Sequence, residues 1–397
     1  MTFLSVFEHP LIMKVSYNID ITSKTTFGVK VKSAAFAEYE STEELIDLLR
    51  SPDLPRPFFL IGGGSNLLFT KDFRGTVLHS AVRFIKRVAG ESDMDEGAVT
   101  VEAGSGVVFD DFCQWAAENG LWGVENLSHI PGEVGASAVQ NVGAYGVEAG
   151  DLIKTVKCLD LQTLQQVEID AADCGYAYRY SRFKDEWKGR YAIVSVVFAL
   201  SLKPSPKLDY GHLRSSVEAA LLTKLSSDAV ACSSDTSTCR GRKVADGDLS
   251  GRYGDNNSIG ERYLTPMLVR DVIVSIRKQK LPEPDQTGSA GSFFKNPVVT
   301  GDVFERICSA EGEVPHYLVR QIDGSTLYKI PAAWMIERCG WKGKSLGNAA
   351  VYEKQPLVIV NATGKASAEE IVALERAIVE SVRERFGVVL SPEVEHI

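Results

Sequence analysis

Apolar residues recur along the chain with two periods, and these periods predict an alternation of short strands with helices. The helical period is clearest in SAEEIVALERAIVESVRERFG, near the C-terminus. Its apolar face consists of four residues, Ile371, Leu374, Ile378 and Val382. Ser367 and Glu370 predict a capping box at the start of this helix, and Gly387 predicts its end.

Shorter segments carry the pattern of strands. PFFLIGGGSNLLF predicts a buried strand, a glycine turn and a second apolar segment, and the β-branched YAIVSVVFALSL predicts another strand. AVTVEAGSGVVFDDFCQWAAENG predicts a strand and then a helix that Gly120 closes. Ser41 and Glu44 predict a capping box for one more helix, and residues 388–397 are predicted to form a last strand.

The composition changes between residues 226 and 258, where Ser, Asp and Gly dominate and large apolar residues are scarce. Such a segment buries too little surface to offset the entropy of ordering it, so we expect a mobile insertion. A structured regulatory loop is the alternative. Beyond it, the pattern predicts a helix in LTPMLVRDVIVSIRKQK and another in PAAWMIERCG that begins at Pro331 and ends before Gly340.

Charge and composition exclude several classes of protein. The 397 residues carry a net charge of -9, which argues against general nucleic-acid binding. No apolar run approaches the roughly 18–20 residues that span a bilayer. Seven widely spaced cysteines and six histidines form no C-x-x-C or H-x-x-x-H pattern, which favours a reduced, cytoplasmic protein without a metal site. The first residues lack the features of a signal peptide, and Met13 is an alternative start.

The first candidate site is the turn formed by Gly62, Gly63, Gly64, Ser65 and Asn66. A glycine turn lets the backbone approach a pyrophosphate, and its N–H groups can bind an anion. A Rossmann site is excluded because an apolar segment, rather than a helix, follows the turn. A tight hairpin without a ligand is the alternative.

The second candidate site is IPGEVGASAVQNVGAYG, where large side chains are scarce over seventeen positions. A flat ligand that lies along the backbone would need so little bulk, and a tightly packed system of turns is the alternative. In YAYRYSRFK, Arg179 stands among aromatic residues and suits the recognition of a carboxylate or phosphate, unless it is a solvated surface charge.

Four weaker signals complete the candidates. GSAGSFFKNP places Ser292 between flexible glycines and two phenylalanines, which suits either a turn into a buried strand or a hydroxyl held over a reacting atom. Tyr210 in LDYGHL, Lys280 in KLPEP and Glu393 in SPEVEHI are, taken singly, typical of ordinary surface positions.

Together these motifs resemble the UDP-N-acetylenolpyruvoylglucosamine reductase family, in the branch that closes a tyrosine-bearing loop over its substrate. The resemblance covers IGGGSNLLF, IPGEVGASAVQNVGAYGVE, YRYSRF, GSAGSFFKNP and SPEVE in that order. It implies an α+β fold. A vanillyl-alcohol-oxidase-type (PCMH-type) FAD-binding domain would span 14–203, in two subdomains split near 80–85. A smaller α+β substrate-binding region would span 204–397, with the insertion at 226–258 and a last strand, 388–397, that returns to the active site.

The resemblance also implies a reaction. NADPH would reduce FAD, and the flavin would reduce the enolpyruvyl group of a UDP-sugar to give UDP-N-acetylmuramate for peptidoglycan. The site residues fall into three groups. Arg179, Ser292 and Glu393 would be catalytic, with Ser292 as the proton donor. The FAD site would comprise Gly62, Gly63, Gly64, Ser65, Asn66, Ile130, Pro131, Gly132, Gly135, Ala136, Gln140, Asn141, Gly143 and Ala144. The substrate would contact Tyr145, Tyr210, Lys280 and Asn296.

Two other classes are compatible with parts of the sequence. One is a different FAD-dependent oxidase or dehydrogenase on the same scaffold, and the other is a nucleotide-binding protein without catalysis. We expect a cytoplasmic monomer whose partner is the small-molecule substrate, while the choice of NADPH over NADH and the source of the proton that restores Ser292 stay open.

Overall fold

The computed structural model describes residues 14–88, 97–234, 263–320 and 325–397, and the side chains of 227–234 are left undescribed. The chain divides into two compact units. Unit 1 comprises Met1–Ala81 and Lys278–Ile397, and unit 2 is Val82–Arg277. The alternative start at Met13 lies outside the described residues.

The N-terminal part of unit 1 is a four-stranded sheet with a helix, α1. The strand order is β1-β2-β5-β3, in which β2 pairs in parallel with β5 and β5 with β3. The elements are β1 (Lys14–Asp20), β2 (Lys32–Tyr39), α1 (Thr42–Arg50), β3 (Phe58–Ile61), β4 (Leu67–Leu68) and β5 (Phe73–Ser80). The predicted capping box at α1 is half present: Ser41 accepts from the Glu44 N–H, but the Glu44 carboxylate accepts from Glu40 instead.

Unit 2 contains a five-stranded antiparallel sheet of order β11-β10-β12-β7-β6. Its strands are β6 (Ile85–Arg87), β7 (Ala98–Gly104), β10 (Ile153–Asp160), β11 (Gln165–Asp170) and β12 (Tyr191–Ser201). A small hairpin pairs β8 (Gly143–Ala144) with β9 (Val147–Glu148). The described helices that begin in unit 2 are α2 (Phe109–Glu118), α3 (Val134–Gln140), α4 (Leu213–Ser234) and α5 (Pro266–Lys280). Phe112 and Phe198 join α2 to the sheet, with ring centroids 4.6 Å apart.

The C-terminal part of unit 1 packs three helices around a core with two small sheets. The helices are α6 (Gly301–Glu311), α7 (Ala332–Arg338) and α8 (Ala368–Phe386). One sheet has the order β13-β19-β18-β17 and the other β14-β16-β15. Their strands are β13 (Gly288–Ser292), β14 (Val298–Val299), β15 (Tyr317–Arg320), β16 (Thr326–Lys329), β17 (Ser345–Leu346), β18 (Ala349–Val351) and β19 (Val358–Asn361).

Helix α8 confirms the prediction from its sequence. The four residues of its apolar face are fully buried in the core of unit 1. Ser367 and Glu370 form both halves of the capping box, and Gly387 ends the helix in the left-handed conformation with φ 68°.

The last strand is much shorter than predicted. Only β20 (Glu395–His396) is a strand, and it pairs in parallel with β4. Before it, the chain makes isolated contacts: Lys295 donates to the Ser391 carbonyl, and Glu393 donates to the Phe293 carbonyl. These two bonds flank an isolated bridge between Phe294 and Pro392, a position where proline loses no hydrogen bond because its nitrogen is not used.

The predicted insertion begins inside a helix. Helix α4 continues to Ser234, so residues 226–234 are helical, which their composition did not indicate. The Ser226 hydroxyl donates to the Leu222 carbonyl, and a serine bonded in this way is accommodated in a helix. The rest of the predicted insertion, residues 235–258, lies outside the described residues.

The predicted domains, 14–203 and 204–397, do not coincide with the two compact units, whose boundaries lie after Ala81 and after Arg277. The units differ from it because the C-terminal residues pack with the N-terminal sheet and its loops, for example through β4 and β20. The division into an FAD-binding domain and a substrate-binding region stays a prediction.

Candidate active site

The glycine turn of residues 62–66 borders a cavity of about 870 Å³ in unit 1. Gly62 and Gly63 line this cavity together with Thr22, Lys24 and Thr26. Backbone groups, hydroxyls and a lysine are the groups that bind phosphate oxygens in proteins. The cavity is also lined by the carboxylates of Asp20 and Asp285, so only the part of the lining that holds the turn, the hydroxyls and Lys24 fits the diphosphate of a dinucleotide such as FAD.

Gly64 has a different role from its two neighbours. Its φ is 60°, and a Cβ atom there would lie 2.1 Å from the carbonyl oxygen of Lys24. The Gly64 carbonyl accepts a hydrogen bond from Thr26 over 3.2 Å. This glycine is thus required by the protein's own backbone. The turn is not the tight hairpin of the sequence analysis, because β3 pairs with β5 whereas β4 pairs with β20.

Asn66 connects the glycine turn to the C-terminal segment through two hydrogen bonds. Its side-chain amide donates to the Glu393 carbonyl over 3.1 Å, and its own carbonyl accepts from the Glu395 N–H over 3.0 Å. The predicted cofactor residue Asn66 is therefore a positioning group for the predicted catalytic residue Glu393.

Ser292 is the last residue of β13 and is exposed. The register of β13 against β19 is irregular between Ser289 and Ser292, and Gly291 has φ 70°. Bulges of this kind redirect a side chain next to a functional site. Phe293 and Phe294, both in the core, anchor the following residues, as the sequence predicts.

The structure brings Ser292 and Glu393 close along the backbone of unit 1. The residue after Ser292, Phe293, accepts the Glu393 N–H over 2.8 Å. Glu393 itself donates this hydrogen bond, and Ser292 directly precedes the residue that accepts it. The Ser292 hydroxyl and the Glu393 carboxylate therefore belong to neighbouring segments, and the buried Phe293 anchors these segments in the core.

Asn296 and Lys280, two predicted substrate residues, have different surroundings. The Asn296 Oδ1 accepts the Ala332 N–H over 2.9 Å and so caps helix α7. Lys280 is exposed at the end of α5. Asn296 therefore stabilises the start of helix α7.

Arg179 lies beside the glycine-rich segment in unit 2. It occupies a tight turn between Ala177 and Tyr180, with φ 55°, a strained value for a residue with a side chain. Its Nη2 donates to the Gly143 carbonyl over 2.6 Å, and its Nη1 lies 3.8 Å from the Glu148 carboxylate. Strain maintained by such contacts is common at functional sites.

The glycines of this segment are needed by the protein itself. A Cβ atom on Gly143 would lie 2.7 Å from the Arg179 Nη1, and one on Gly135 would lie 2.8 Å from the Ser105 Cβ. Gly132 has φ 120° and accepts a hydrogen bond from Phe109. For these positions the tightly packed turn, the alternative of the sequence analysis, accounts for the lack of side chains.

Asn141 and Gln140 are held by protein groups. The Asn141 amide donates to Glu148 and to the Ala177 carbonyl, each over 2.8 Å, and its Oδ1 accepts the Gly150 N–H over 2.7 Å. Gln140 accepts from Lys184. Asn141, which is buried with φ 44°, therefore braces the loop that carries Arg179.

The other predicted cofactor residues surround these. Ile130 and Pro131 lie in the turn before α3, Ala136 is near the start of α3, and Ala144 is in strand β8. Ser65 lies in the turn of unit 1.

Tyr145 and Tyr210 pack against each other with perpendicular rings, 5.9 Å apart. Tyr145 has φ 48° and is partly buried; burial raises the pKa of its phenol, and the charge of Arg277 counteracts this. Tyr210 is 48% exposed. The structure thus joins two predicted substrate residues in unit 2.

Arg277 interacts electrostatically with the predicted site residues Tyr145 and Arg179, and the sequence analysis did not single it out. Burial lowers the pKa of its guanidinium, and the charge of Arg179 acts in the same direction. Its Nε donates to the His129 carbonyl over 3.1 Å. The only signal in the sequence was a basic residue near a helix end, and that pattern is explained equally well by the helix dipole.

Two negative observations concern the described part of the chain. It contains no group of His, Cys, Asp and Glu residues suited to a metal ion. No helix among the same residues is long and apolar enough to cross a membrane.

Two family models match the chain. Residues 33–165 match the FAD binding domain, and residues 283–397 match the UDP-N-acetylenolpyruvoylglucosamine reductase, C-terminal domain. The glycine turn lies inside the first match, and Ser292 and Glu393 lie inside the second. The chain is an FAD-dependent oxidoreductase with a PCMH-type FAD-binding domain followed by an α+β domain, which confirms the predicted fold class.

Curated relatives of nearly the same length narrow this class. UDP-N-acetylenolpyruvoylglucosamine reductase of Bacteroides fragilis (strain YCH46) is 42% identical over 95% of this chain and 98% of its own. The enzymes of Neisseria meningitidis serogroup A and Porphyromonas gingivalis (strain ATCC 33277) are 40% and 37% identical, and cover 96% and 97% of this chain and 96% and 100% of their own lengths. The chain belongs to the UDP-N-acetylenolpyruvoylglucosamine reductase family, as its motifs predict.

A solved structure agrees on the fold. The crystal structure of UDP-N-acetylenolpyruvylglucosamine reductase from Thermus caldophilus aligns with a TM-score of 0.58 at 21% identity. The alignment covers 97% of this chain and 99% of that one.

Proposed function

We propose that this enzyme reduces UDP-N-acetyl-3-O-(1-carboxyvinyl)-glucosamine to UDP-N-acetylmuramate, with NADPH as the electron donor, in the synthesis of peptidoglycan precursors. The observation that carries the proposal is the position of Ser292. Its hydroxyl is exposed at the end of a bulged strand, while Phe293 is fixed in the core and bonded to the Glu393 N–H.

Bound FAD, once reduced, supplies a hydride to the substrate. The enolpyruvyl group gains this hydride at its methylene carbon and a proton at the carbon that bears the carboxylate. Electrons that build up at the second carbon spread into the carboxylate as an enolate. Arg179 would stabilise that negative charge, because a guanidinium can donate two parallel hydrogen bonds to a carboxylate.

Ser292 would donate the proton. A serine hydroxyl is a weak acid, but the enolate carbon is a strong base, so a well-placed hydroxyl suffices. Glu393, held by Asn66 and Phe293, would assist as the second catalytic residue of the C-terminal part.

The remaining residues would bind and orient. The turn at residues 62–66 would hold the FAD diphosphate through backbone N–H groups. Arg277 and Arg179 would provide positive charge in unit 2 for the anionic substrate, and Tyr145 with Tyr210 would provide an aromatic surface for it.

The test separates the two half-reactions by stopped-flow absorbance of the flavin. Ser292→Ala should bind FAD and be reduced by NADPH nearly as the parent is, because those steps need no hydroxyl. Its reoxidation by the enolpyruvyl sugar nucleotide should slow by roughly 10²–10⁴-fold. Ser292→Cys, which keeps a donor, should recover part of the rate.

Ser391→Ala is the matched control, since Ser391 is exposed on the chain segment that pairs beside Phe294. It should behave as the parent protein. Reoxidation of Ser292→Ala at the parent rate would contradict the assignment of the proton donor. Hydrogen peroxide formation without reduction of the sugar nucleotide would favour a different FAD-dependent oxidase, and purified protein without flavin absorbance would favour a protein without this catalysis.

A further inference from the structure

Asp110 lies at the centre of a network of hydrogen bonds in unit 2. Both guanidinium nitrogens Nη1 and Nη2 of Arg270 contact the Asp110 carboxylate, at 2.5 and 3.0 Å. Arg270 is only 7% exposed, so this paired contact is well shielded from water. The network therefore connects α2, which carries Asp110, with α5, which carries Arg270.

The same carboxylate fixes the backbone of His129. The His129 N–H donates to the Asp110 Oδ1 over 2.5 Å. His129 has φ 60°, a conformation that disfavours residues with a side chain and so needs support from its neighbours. Asp110 gives that support, and burial, which disfavours its charged form, is outweighed by these hydrogen bonds, so the pKa of Asp110 is below its usual value.

The carbonyl of His129 in turn holds Arg277. The Arg277 Nε donates to this carbonyl over 3.1 Å. Arg270 and Arg277 are seven residues apart on α5, two helical turns, and therefore project from the same face. One residue, His129, thus joins the two arginines: its N–H is bonded to Asp110, which Arg270 clamps, and its carbonyl is bonded to Arg277.

Arg277 is suited to an anion. Among the described residues its guanidinium forms no ion pair, and its one hydrogen bond uses Nε. The four N–H groups of Nη1 and Nη2 are left for a ligand. The charges of Arg179 and Asp110 act on Arg277, and the charge of Arg277 acts on the Tyr145 phenol, so Arg277 lies in the part of unit 2 that holds predicted site residues.

We propose that Asp110 is a positioning residue: clamped by Arg270, it sets the His129 carbonyl that orients Arg277 toward the anionic sugar nucleotide. The inference rests on the proposed function for the identity of that ligand. Loss of the Asp110 charge would free the His129 peptide and let Arg277 turn away. Substrate binding would weaken, while residues of unit 1 such as Ser292 would be unaffected.

The experiment compares Asp110→Asn with Asp160→Asn in the flavin-loaded full-length protein. Asp160 is a matched control because it also accepts from an arginine, Arg190, and from backbone N–H groups, but on β10. Asp110→Asn should raise KM for the enolpyruvyl sugar nucleotide about tenfold or more, with kcat changed less than about threefold and flavin content unchanged. Asp160→Asn should leave KM at the parent value.

A binding measurement and a double variant complete the test. The shift of the bound flavin's absorbance on titration with the enolpyruvyl sugar nucleotide should need about tenfold more ligand in Asp110→Asn. Arg277→Lys alone should weaken binding, and adding Asp110→Asn to it should have little further effect, because both changes act on the same contact. Arg270→Lys serves in place of Asp110→Asn if that variant does not fold.

Several results would overturn the inference. An unchanged KM in Asp110→Asn and in Arg270→Lys, or additive effects in the double variant, would show that the network does not act through Arg277. Loss of flavin from Asp110→Asn alone would assign the network to the cofactor instead. A parent protein that shows neither turnover nor a spectral shift with the sugar nucleotide would remove the proposed function and this inference with it.

Discussion

Two glycine-rich stretches of this chain look alike in sequence but differ in what surrounds them. At Gly291, before Ser292 in unit 1, a Cβ atom would meet nothing within 4 Å. At Gly143 in unit 2, a Cβ atom would lie 2.7 Å from Arg179 and 2.9 Å from Glu148. The first glycine is needed for its backbone conformation, with φ 70°, and the second for space.

The comparison shows that a lack of side chains does not by itself locate a ligand. In unit 2 the space beside Gly143 is filled by the side chain of Arg179, which donates a hydrogen bond to the carbonyl of that same glycine. In unit 1 the space beside Gly291 stays open next to an exposed serine. Substitutions at the two glycines should therefore fail in different ways.

The largest effect is expected for Gly143→Ala. The added methyl group would push the Arg179 guanidinium from its position, and a displacement of about 1 Å in a binding group can lower catalysis about 100-fold. We expect kcat/KM to fall by about that factor, calculated per bound flavin because Gly143 is itself a predicted cofactor residue. Steady-state kinetics and flavin content measure this, and an alanine variant with the kinetics of the parent would mean that Arg179 is not where catalysis needs it.

A smaller effect, on stability, is expected for Asn141→Ala. The buried Asn141 side chain accepts from the Gly150 N–H, which would lose its partner, and donates to the Ala177 carbonyl, which would keep only its bond to the Tyr180 N–H. We expect a loss of about 2–3 kcal/mol in the free energy of unfolding. Urea denaturation measures it, with Gln140→Ala as the control, whose partner is the lysine side chain of Lys184. Equal stabilities of the two variants would contradict the bracing role of Asn141.

The smallest effect is expected for Gly291→Ala. The open space accepts the methyl group, so only the left-handed backbone conformation is penalised, by about 1 kcal/mol. The melting temperature should fall slightly, and reoxidation of the flavin should slow only as far as Ser292 is displaced. A loss of activity as large as that of Gly143→Ala would remove the contrast between the two glycines.

Motifs in the sequence indicated some residues of the candidate site but not the hydrogen-bond partners of others. GSAGSFFKNP and SPEVE indicated Ser292 and Glu393, and the structure joins their segments through Phe293. The role of Asn141 as a cofactor residue stays a prediction, and the structure adds that its side-chain hydrogen bonds go to Glu148, Gly150 and Ala177. The sequence does not show which partners a polar side chain finds, because those partners are brought near only by folding.

The sequence by itself determined helix α8, its capping box and its buried face, because these depend on hydrogen bonds and side-chain neighbours three or four residues apart. It also determined the family, through motifs that follow one another in order. Only the tertiary structure decided that Asn66 holds Glu393, 327 positions away, and that Asp110 supports His129 and Arg277. Contacts of such separation depend on how strands and helices pack, and no local pattern of residues encodes them.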